Sequence, residues 1–204
     1  MFEGAQGVLL DEWRGFHPYT TWSTTTFANA EQLLAEAGQT GFRLGVTRCY
    51  LTRHGPGPFV TEDPGLALPE PHNCHNRWQG AFRTGHFDAV ALRYAIEVTG
   101  GIDAIALTHL DTAERQPGLR ICRSCQSQRR TLTRLAPSPA RDLGYQAQLT
   151  RLLQTARPVY SHPDGNWAAI VEQETGTPVV LRSYGPTAAD KSGPNQPGLR
   201  RFAA

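Results

Sequence analysis

Residues 88–111 read DAVALRYAIEVTGGIDAIALTHLD, and this stretch decides the fold. Asp88 is suited to begin a helix as its N-cap, and the pair Gly100 and Gly101 is suited to end it. The side chains that share one face of this predicted helix are Leu92, Ala95, Ile96 and Thr99. The apolar run that follows has the length of a strand and ends in polar residues, which is where α/β proteins place ligand contacts.

Helices and strands alternate on both sides of this unit. The apolar spacing predicts further helices over residues 28–37, 145–156 and 167–175 and further strands over 43–53 and 177–183. The segments 55–71 and 112–140 are polar or proline-rich and are interpreted as irregular. This alternation indicates the α/β class, with one unit over residues 1–187 and a flexible Gly/Pro-rich tail over 188–204.

Composition excludes several classes of protein. The 204 residues are 39% apolar and 19% charged, which is typical of a soluble globular chain. No run approaches the roughly 20 apolar residues of a membrane helix, and no signal peptide is apparent, so no membrane partner is predicted. The net charge of +2 does not favour a nucleic-acid partner. Four cysteines do not make a disulfide scaffold, and the cytoplasm is the expected compartment.

Four segments end in small polar residues of the kind that bind oxyanions. Glycine allows close backbone approach, and hydroxyl and N–H groups surround phosphate oxygens, although a lone Gly-rich turn is more often structural. These segments are FEGAQG (2–7), PYTTWSTTT (18–26), TRHGPGPFVTE (52–62) and SYGP (183–186).

The order and content of the motifs resemble the adenylosuccinate synthetases. The matching patterns are FEGAQG-x-LLD (2–11), G-x-x-P-Y-x-T-x-S-x-T-T (15–26), T-R-x-G-x-G-P-F-x-T-E (52–62), G-x-x-D-x-V-A-x-R-x-A (85–95), L-T-x-L-D (107–111) and T-G-x-P-x4-S-x-G-P (175–186). The resemblance implies the C-terminal part of a P-loop-related, mixed-sheet α/β domain. It also implies a carbon–nitrogen ligase of purine biosynthesis that phosphorylates the 6-oxygen of IMP with GTP and Mg²⁺, after which aspartate displaces the phosphate.

The resemblance also assigns residues to three groups of ligand contacts. For the IMP-like nucleotide they are Gln6, Thr21, Arg53 and His54. For the aspartate they are Arg77 and Arg83. For the GTP base they are His109, Asp111, Ser183, Gly185 and Pro186. A structural role is the alternative for each, for example a turn residue at Gln6 or a helix N-cap at Asp111.

The family's phosphate loop, G-D-E-G-K-G-K, is absent from this sequence. In the family it lies upstream of FEGAQG, with the catalytic base, the catalytic acid and most Mg²⁺ contacts. We therefore assign no catalytic residue and no metal ligand, and expect a truncated chain or one half of a split enzyme, inactive alone. The expected partners are a separate N-terminal half and, as in the family, a second copy. An apolar sheet edge should be exposed where that half is missing.

Two departures from the bacterial pattern leave the nucleotides open. Arg77-Trp78-Gln79-Gly80 stands where an arginine-rich segment binds aspartate, and His109 replaces the lysine that packs on guanine. Both features resemble the archaeal enzymes and the phage 2-aminoadenylosuccinate synthetases, so dGMP could replace IMP and ATP could replace GTP. A non-catalytic nucleotide-binding remnant is a further alternative.

The cysteines allow one more hypothesis. Cys122 and Cys125 have the spacing of zinc ligands, and His72, Cys74 and His75 form a second group elsewhere in the sequence. Free cysteines are the preferred interpretation. A zinc-stabilised nucleic-acid-binding module is the least favoured alternative.

Overall fold

The computed structural model describes residues 1–193 except 67, 69, 71, 74, 76, 129, 139 and 140. The α-helices of this part are α1 (Ala28–Glu36), α2 (Ala89–Val98), α3 (Leu110–Arg115), α4 (Leu143–Gln154) and α5 (Trp167–Thr175). The strands are β1 (Leu44–Arg48), β2 (Leu51–His54), β3 (Phe82–Gly85), β4 (Phe87–Asp88), β5 (Ala104–Thr108), β6 (Ile121–Ser127), β7 (Arg130–Leu132), β8 (Arg157–Ser161), β9 (Val179–Ser183) and β10 (Lys191–Ser192). Within the described ranges, no helix has the length and apolarity needed to cross a membrane.

The main sheet has the strand order β1-β5-β9-β10. Strands β1, β5 and β9 are parallel, and β10 runs antiparallel to β9. The central strand β5 is buried from Ala104 to Leu107, as expected for a parallel strand covered on both faces. Because β5 and β9 are parallel neighbours, the residues that follow them meet at the same edge of the sheet.

A second sheet forms around β6. This strand pairs in parallel with β4 and antiparallel with both β7 and β8. Phe87 of β4 and Ile121 of β6 belong to the same buried cluster as Ile105 and Leu107 of β5, so the two sheets share a core. A second cluster joins α2 to α4 through Tyr94, Leu149 and other apolar side chains.

The helix ends follow the local sequence. Asp88 begins α2, and its carboxylate accepts a hydrogen bond from the Ala91 N–H at 2.9 Å. Asn166 caps α5 through the Ala168 N–H, and Gly176 ends that helix with φ of +68°, a conformation that glycine adopts without strain. The predicted ends of α2 and α5 are therefore confirmed.

The α/β class is confirmed, with mixed parallel and antiparallel sheets. The strand predicted over 43–53 is divided, because the chain leaves the main sheet at the buried Cys49 and Tyr50 and continues into the hairpin formed by β2 and β3. The irregular segment predicted over 112–140 was wrong, since it contains most of α3 and all of β6 and β7. Residues 188–192 of the predicted tail form a 3-10 turn and β10, whereas residues 194–204 lie outside the described residues.

Candidate functional site

The first two Gly/Ser/Thr motifs are joined by one buried carboxylate. Asp11 is 1% exposed, and its Oδ1 accepts the N–H groups of Trp13 and Arg14, each at 2.9 Å. Its Oδ2 accepts the Thr25 N–H at 2.7 Å. Segment 2–11 and segment 18–26 are therefore held side by side by hydrogen bonds to Asp11.

Gln6 and Thr21 lie in these two joined segments. Gln6 is exposed and left-handed, with φ of +65°, so its amide side chain is carried on a sharp turn. The Thr21 N–H donates to the carbonyl of Leu10 at 2.8 Å, which fixes the second segment next to the first. The structure thus brings Gln6 and Thr21 onto neighbouring loops, while their sharing of one ligand stays a prediction.

Arg53 connects the third motif to the second. It is buried at the end of β2, where its Nη2 donates to the Tyr19 carbonyl at 2.9 Å and its Nε donates to the Pro56 carbonyl at 3.0 Å. Burial, followed by repulsion from Arg83, lowers the pKa of Arg53 to about 10. His54, the next residue, is half-buried, and its Nδ1 has no hydrogen-bond partner in the described structure.

The glycines of the third motif allow this close approach. Gly57 has φ of +117°, and a Cβ at that position would lie 2.4 Å from Nη2 of Arg53. Gly55 has φ of +69°, and a Cβ there would lie 2.8 Å from the carbonyl oxygen of Gln79. Both glycines are therefore required by geometry. They line an open cleft together with Pro56, Gly80, Ala81 and Arg83.

The two residues predicted to bind aspartate differ in their surroundings. Arg83 forms a bidentate pair with Glu62, at 2.8 and 2.5 Å, and its Nη1 donates to the carbonyls of Gly55 and Gly57, each at 3.0 Å. Its guanidinium therefore shapes the 55–57 loop instead of projecting freely. Arg77 is exposed, with its guanidinium 4.3 Å from the ring centre of Trp78. No contact between Arg77 and Arg83 is seen, so their shared role stays a prediction.

A second group of site residues lies at the carboxyl ends of β5 and β9. His109 follows β5 in a left-handed conformation, with φ of +61°, and its ring contacts Thr108 Oγ1 through Nδ1 at 3.0 Å. Burial, together with the positive charge of Arg48, lowers the pKa of His109. Asp111 lies in the first turn of α3 and is paired with Arg115 one turn later. The N-cap position belongs to His109, so the N-cap alternative for Asp111 was wrong.

The loop that follows β9 is ordered by its own hydrogen bonds. Ser183 Oγ donates to the Gly185 carbonyl at 3.1 Å, and Lys191 Nζ donates to the same carbonyl. A Cβ on Gly185 would lie 2.7 Å from Asp190 Oδ2, so a larger residue there would displace the Asp190 carboxylate. Pro186 is exposed in the same loop. The structure therefore brings His109, Asp111 and the Ser183–Pro186 segment to one edge of the main sheet, while their role in binding a base stays a prediction.

The sequence analysis missed several residues of this region. The Glu70 carboxylate accepts hydrogen bonds from Arg48, from the Tyr50 hydroxyl at 2.6 Å and from Asn73 at 2.7 Å, and the Tyr50 ring packs edge-on against His109 at 5.5 Å. The Glu70 carboxylate therefore holds the long 55–81 connection against the end of β1 through these hydrogen bonds. Only the charge of Glu70 within a proline-rich loop could have signalled it, and that signal does not identify its partners.

The two cysteines with the spacing of zinc ligands belong to the same strand, β6. Cys122 and Cys125 are buried in β6, and burial raises the pKa of the Cys125 thiol to about 11. In the part of the chain that the structure describes, no three His, Cys, Asp or Glu side chains are grouped to hold a metal ion. Cys74, which the zinc hypothesis invoked, lies outside that part.

Comparison with known proteins agrees with this geometry. The family model for adenylosuccinate synthetase matches residues 1–191. The adenylosuccinate synthetase of Aliivibrio fischeri is 33% identical over 219 residues, covering 91% of this chain and 47% of that protein. That of Hydrogenovibrio crunogenus is 39% identical over 135 residues, covering 60% of this chain and 30% of that protein.

Two solved structures share the fold. The fully ligated adenylosuccinate synthetase of Plasmodium falciparum matches with a TM-score of 0.72 and 23% identity, over 93% of this chain and 48% of that chain. The cyanophage S-2L succinoaminodeoxyadenylate synthetase, bound to dGMP and dATP, matches with a TM-score of 0.51 and 18% identity, over 98% and 47%. These matches confirm the synthetase-type fold. The chain spans about half the length of the curated relatives it matches, and it belongs to the adenylosuccinate synthetase family.

Proposed function

We propose that this chain is the nucleotide-binding portion of a ligase that joins aspartate to IMP at the expense of GTP, forming adenylosuccinate. The observation that carries the proposal is the hydrogen-bonded assembly of three separate motifs, in which Asp11 joins segments 2–11 and 18–26 and Arg53 joins the latter to loop 55–59. A buried arginine and a buried carboxylate that serve only to hold exposed loops together are typical of a preorganised binding site.

The first group of residues would hold IMP. The Gln6 amide offers both a donor and an acceptor to the purine edge, and the Thr21 hydroxyl offers a donor to the 5′-phosphate. The Arg53 guanidinium already donates to the carbonyls of Tyr19 and Pro56. We therefore propose that Arg53 positions the 55–59 loop and adds positive electrostatic potential near the 5′-phosphate. The unpartnered Nδ1 of His54 supports a ligand contact there, since a buried polar atom without a partner is costly.

The second group would hold the base of GTP. A carboxylate at Asp111 can accept the N1–H and the amino group of guanine, whereas adenine presents an unprotonated N1 at that edge. Asp111 is paired with Arg115, which is 65% exposed, and such surface pairs contribute only about 0–1 kcal/mol. The guanine base can therefore share the Asp111 carboxylate with Arg115, or displace Arg115 from it, with little loss of stability. The Ser183–Pro186 loop would line the same base.

The chemistry needs more than these residues. The 6-oxygen of IMP becomes a leaving group when it accepts the γ-phosphoryl group of GTP, and the aspartate amine then displaces that phosphate. Mg²⁺ would supply charge neutralisation, but the described residues contain no metal-binding group. We therefore propose that Mg²⁺ ligands, base and acid come from the portion of the synthetase that this chain does not match, and that this chain alone is inactive.

Aspartate binding would differ from the expectation that both Arg77 and Arg83 contact the substrate. Because Arg83 is held by Glu62 and two carbonyls, we propose that it shapes the loop facing the substrate, and that Arg77 makes the direct contact with a carboxylate. An Arg77→Ala variant of the restored enzyme should raise the KM for aspartate with little effect on the KM for IMP, whereas an Arg83→Lys variant should impair both.

One observation favours a second candidate, the ligation of dGMP with ATP. His109 replaces the lysine expected beside the base and packs against Tyr50, and the phage enzyme that binds dGMP and dATP shares the fold. The retained Asp111 favours GTP, and none of Gln6, Thr21, Arg53 and His54 carries a carboxylate that could accept the 2-amino group of dGMP. We therefore propose IMP and GTP.

The test is reconstitution. The chain would be purified alone and fused to the unmatched portion of a curated relative, and each form assayed with the four pairings of IMP or dGMP and GTP or ATP, with aspartate and Mg²⁺. The fusion should prefer IMP with GTP, and the chain alone should give no product. A preference for dGMP with ATP supports the second candidate. A non-catalytic remnant would bind nucleotides without product from any pairing, and ligation by the chain alone would refute the need for another portion.

A further inference from the structure

The sequence contains a single lysine, Lys191, and it lies at the edge of the main sheet where the base of GTP is proposed to bind. Lys191 begins β10, and its register partner is Ser183, the last residue of β9. Its side-chain ammonium donates to the carbonyl of Gly185, in the loop that follows β9. The ammonium is therefore held at the carboxyl edge of the sheet.

Two opposite charges act on His109 at this edge. Burial and then the charge of Arg48 lower the pKa of His109 most. Among the weaker influences, the Asp111 carboxylate raises this pKa and the Lys191 ammonium lowers it. Asp111 and Lys191 therefore both lie within electrostatic range of the same imidazole ring. The edge thus offers a ligand a hydrogen-bond acceptor on α3 and a donor on β10.

The ammonium of Lys191 has capacity to bind a ligand. An ammonium carries three N–H donors. The Gly185 carbonyl accepts one of them, and among the residues that the structure describes no other hydrogen bond of this nitrogen is formed. Lys191 is also half-buried, where a hydrogen bond is electrostatically stronger than in bulk water. An oxygen acceptor on a bound ligand would therefore suit this nitrogen.

We propose that Lys191 is a specificity-determining residue of the base site, whose ammonium donates to the O6 carbonyl of guanine while Asp111 binds the N1–H and 2-amino groups. This inference rests on the proposed function. The guanine edge presents the acceptor O6 beside two donors, which matches a cation near a carboxylate. Adenine presents an amino group in place of O6 and an unprotonated N1, so both protein groups would face a group of the wrong kind.

Binding of four purine nucleoside triphosphates tests the proposal, because they differ at the base edge. GTP has O6 and the 2-amino group, ITP has O6 alone, 2-aminopurine riboside triphosphate has the 2-amino group alone, and ATP has neither. Dissociation constants would be measured for the fusion to the unmatched portion of a curated relative and for its Lys191→Met variant. The variant should bind GTP and ITP about 10-fold or more weakly and the other two within about 2-fold of the unchanged fusion.

A structural or phosphate-binding role of Lys191 gives a different result. If the ammonium only orders the 183–186 loop, or contacts phosphate oxygens, Lys191→Met should weaken all four nucleotides by the same factor, which would overturn the proposal. Unchanged binding of all four would overturn it as well. Lys191→Arg should retain the preference for O6, because a guanidinium also donates. Arg134→Met is the control, since Arg134 is an exposed cation paired with Glu97 and should leave all four constants unchanged.

Acetylation of the lysine tests the contact without any variant. Peptide mapping resolves Lys191 from the lysines of the fused portion, and this chain contributes no other. Saturating GTP should slow acetylation of Lys191 at least about 5-fold more than saturating 2-aminopurine riboside triphosphate, because only GTP engages the ammonium through O6. Equal protection by the two nucleotides would overturn the proposal.

Ligation by the same fusion is measured separately. A fusion that joins aspartate to IMP, but whose base preference does not depend on Lys191, would overturn this inference and keep the proposed function. A fusion that binds GTP in a manner dependent on Lys191, but forms no product, would keep this inference and remove the proposed function.

Discussion

Replacement of Asp11 gives a quantitative test of how the site is assembled. Its carboxylate accepts three backbone N–H groups, two through Oδ1 from Trp13 and Arg14 and one through Oδ2 from Thr25. The residue is almost fully buried, so water cannot replace these bonds without a local opening of the loops. The free energy of unfolding should therefore respond strongly to any change at this position.

Two substitutions of Asp11 should lower the free energy of unfolding by different amounts. Asp11→Ala removes the carboxylate that accepts all three hydrogen bonds. At about 1.5 kcal/mol for each hydrogen bond to a charged group, the free energy of unfolding should fall by about 4 to 5 kcal/mol. Asp11→Asn can keep a carbonyl oxygen for Trp13 and Arg14 but places an amide donor against the Thr25 N–H. Its loss should be about 2 kcal/mol, close to half of the alanine effect.

Urea unfolding followed by tryptophan fluorescence measures both values, provided that the m-value is unchanged. Asp142→Ala is the control, because Asp142 accepts one N–H, that of Tyr145, at the exposed start of α4 and should cost about 1 kcal/mol. IMP affinity should fall for Asp11→Asn and remain unchanged for the control. A cost below about 1 kcal/mol for Asp11→Ala, or equal costs for the two substitutions, would refute the reasoning.

Three further outcomes are expected. Gly57→Ala should destabilise the chain by about 2 kcal/mol or more in urea unfolding, because the new Cβ would overlap the Arg53 guanidinium at a positive φ. Burial raises the pKa of Asp88 to about 6, so the folded state binds more protons than the unfolded state between about pH 4 and 6. Wild type should therefore gain about 2 kcal/mol relative to Asp88→Asn as the pH falls from 7 to 4. Burial also raises the pKa of the Cys122 and Cys125 thiols, so peptide mapping should find both alkylated at least about 100-fold more slowly in the folded chain than in urea.

For each of these three predictions, a specific experimental result would contradict it. Gly118→Ala, where a Cβ would meet nothing within 4 Å, is the control for the glycine, and equal effects of the two substitutions would disprove the steric argument. A pH-independent difference between wild type and Asp88→Asn would mean that the buried carboxyl keeps its ordinary pKa. Rapid native alkylation of the two thiols would contradict their burial, and a fall in Tm on adding a chelator would support the zinc alternative.

The features that the sequence predicted are those that depend on residues close together in the chain. The beginning and end of α2 follow from Asp88 and Gly100 themselves, because a cap needs only the N–H groups of the next turn. The glycine-containing motifs were identified from their own small polar residues, and the positive φ of Gly55 and Gly57 is a local property of the same kind. Such signals survive in the sequence without knowledge of the rest of the fold.

The features that were missed depend on distant partners. Strand β6 reads ICRSCQS, without a clear alternation, and it is set by pairing with β4, β7 and β8, of which β8 lies about 35 residues later in the chain. The resemblance assigned Arg83 to aspartate, but it did not show that the guanidinium also donates to Glu62 and to the carbonyls of Gly55 and Gly57. Neither outcome could be obtained from the spacing of residues alone.

The left-handed backbone at His109 restricts which substitutions evolution or a mutant library can sample at the carboxyl edge of the main sheet, where the base of GTP is proposed to bind. Side chains branched at Cβ are strongly disfavoured at a φ of +61°, so valine, isoleucine and threonine are effectively excluded there. Unbranched side chains and glycine remain accessible, and the backbone itself is held by the Cys49 thiol, which donates to the His109 carbonyl at 3.0 Å. Exchange among histidine, lysine, asparagine and glutamine at position 109 can therefore change the side chain presented at this edge without rebuilding the turn.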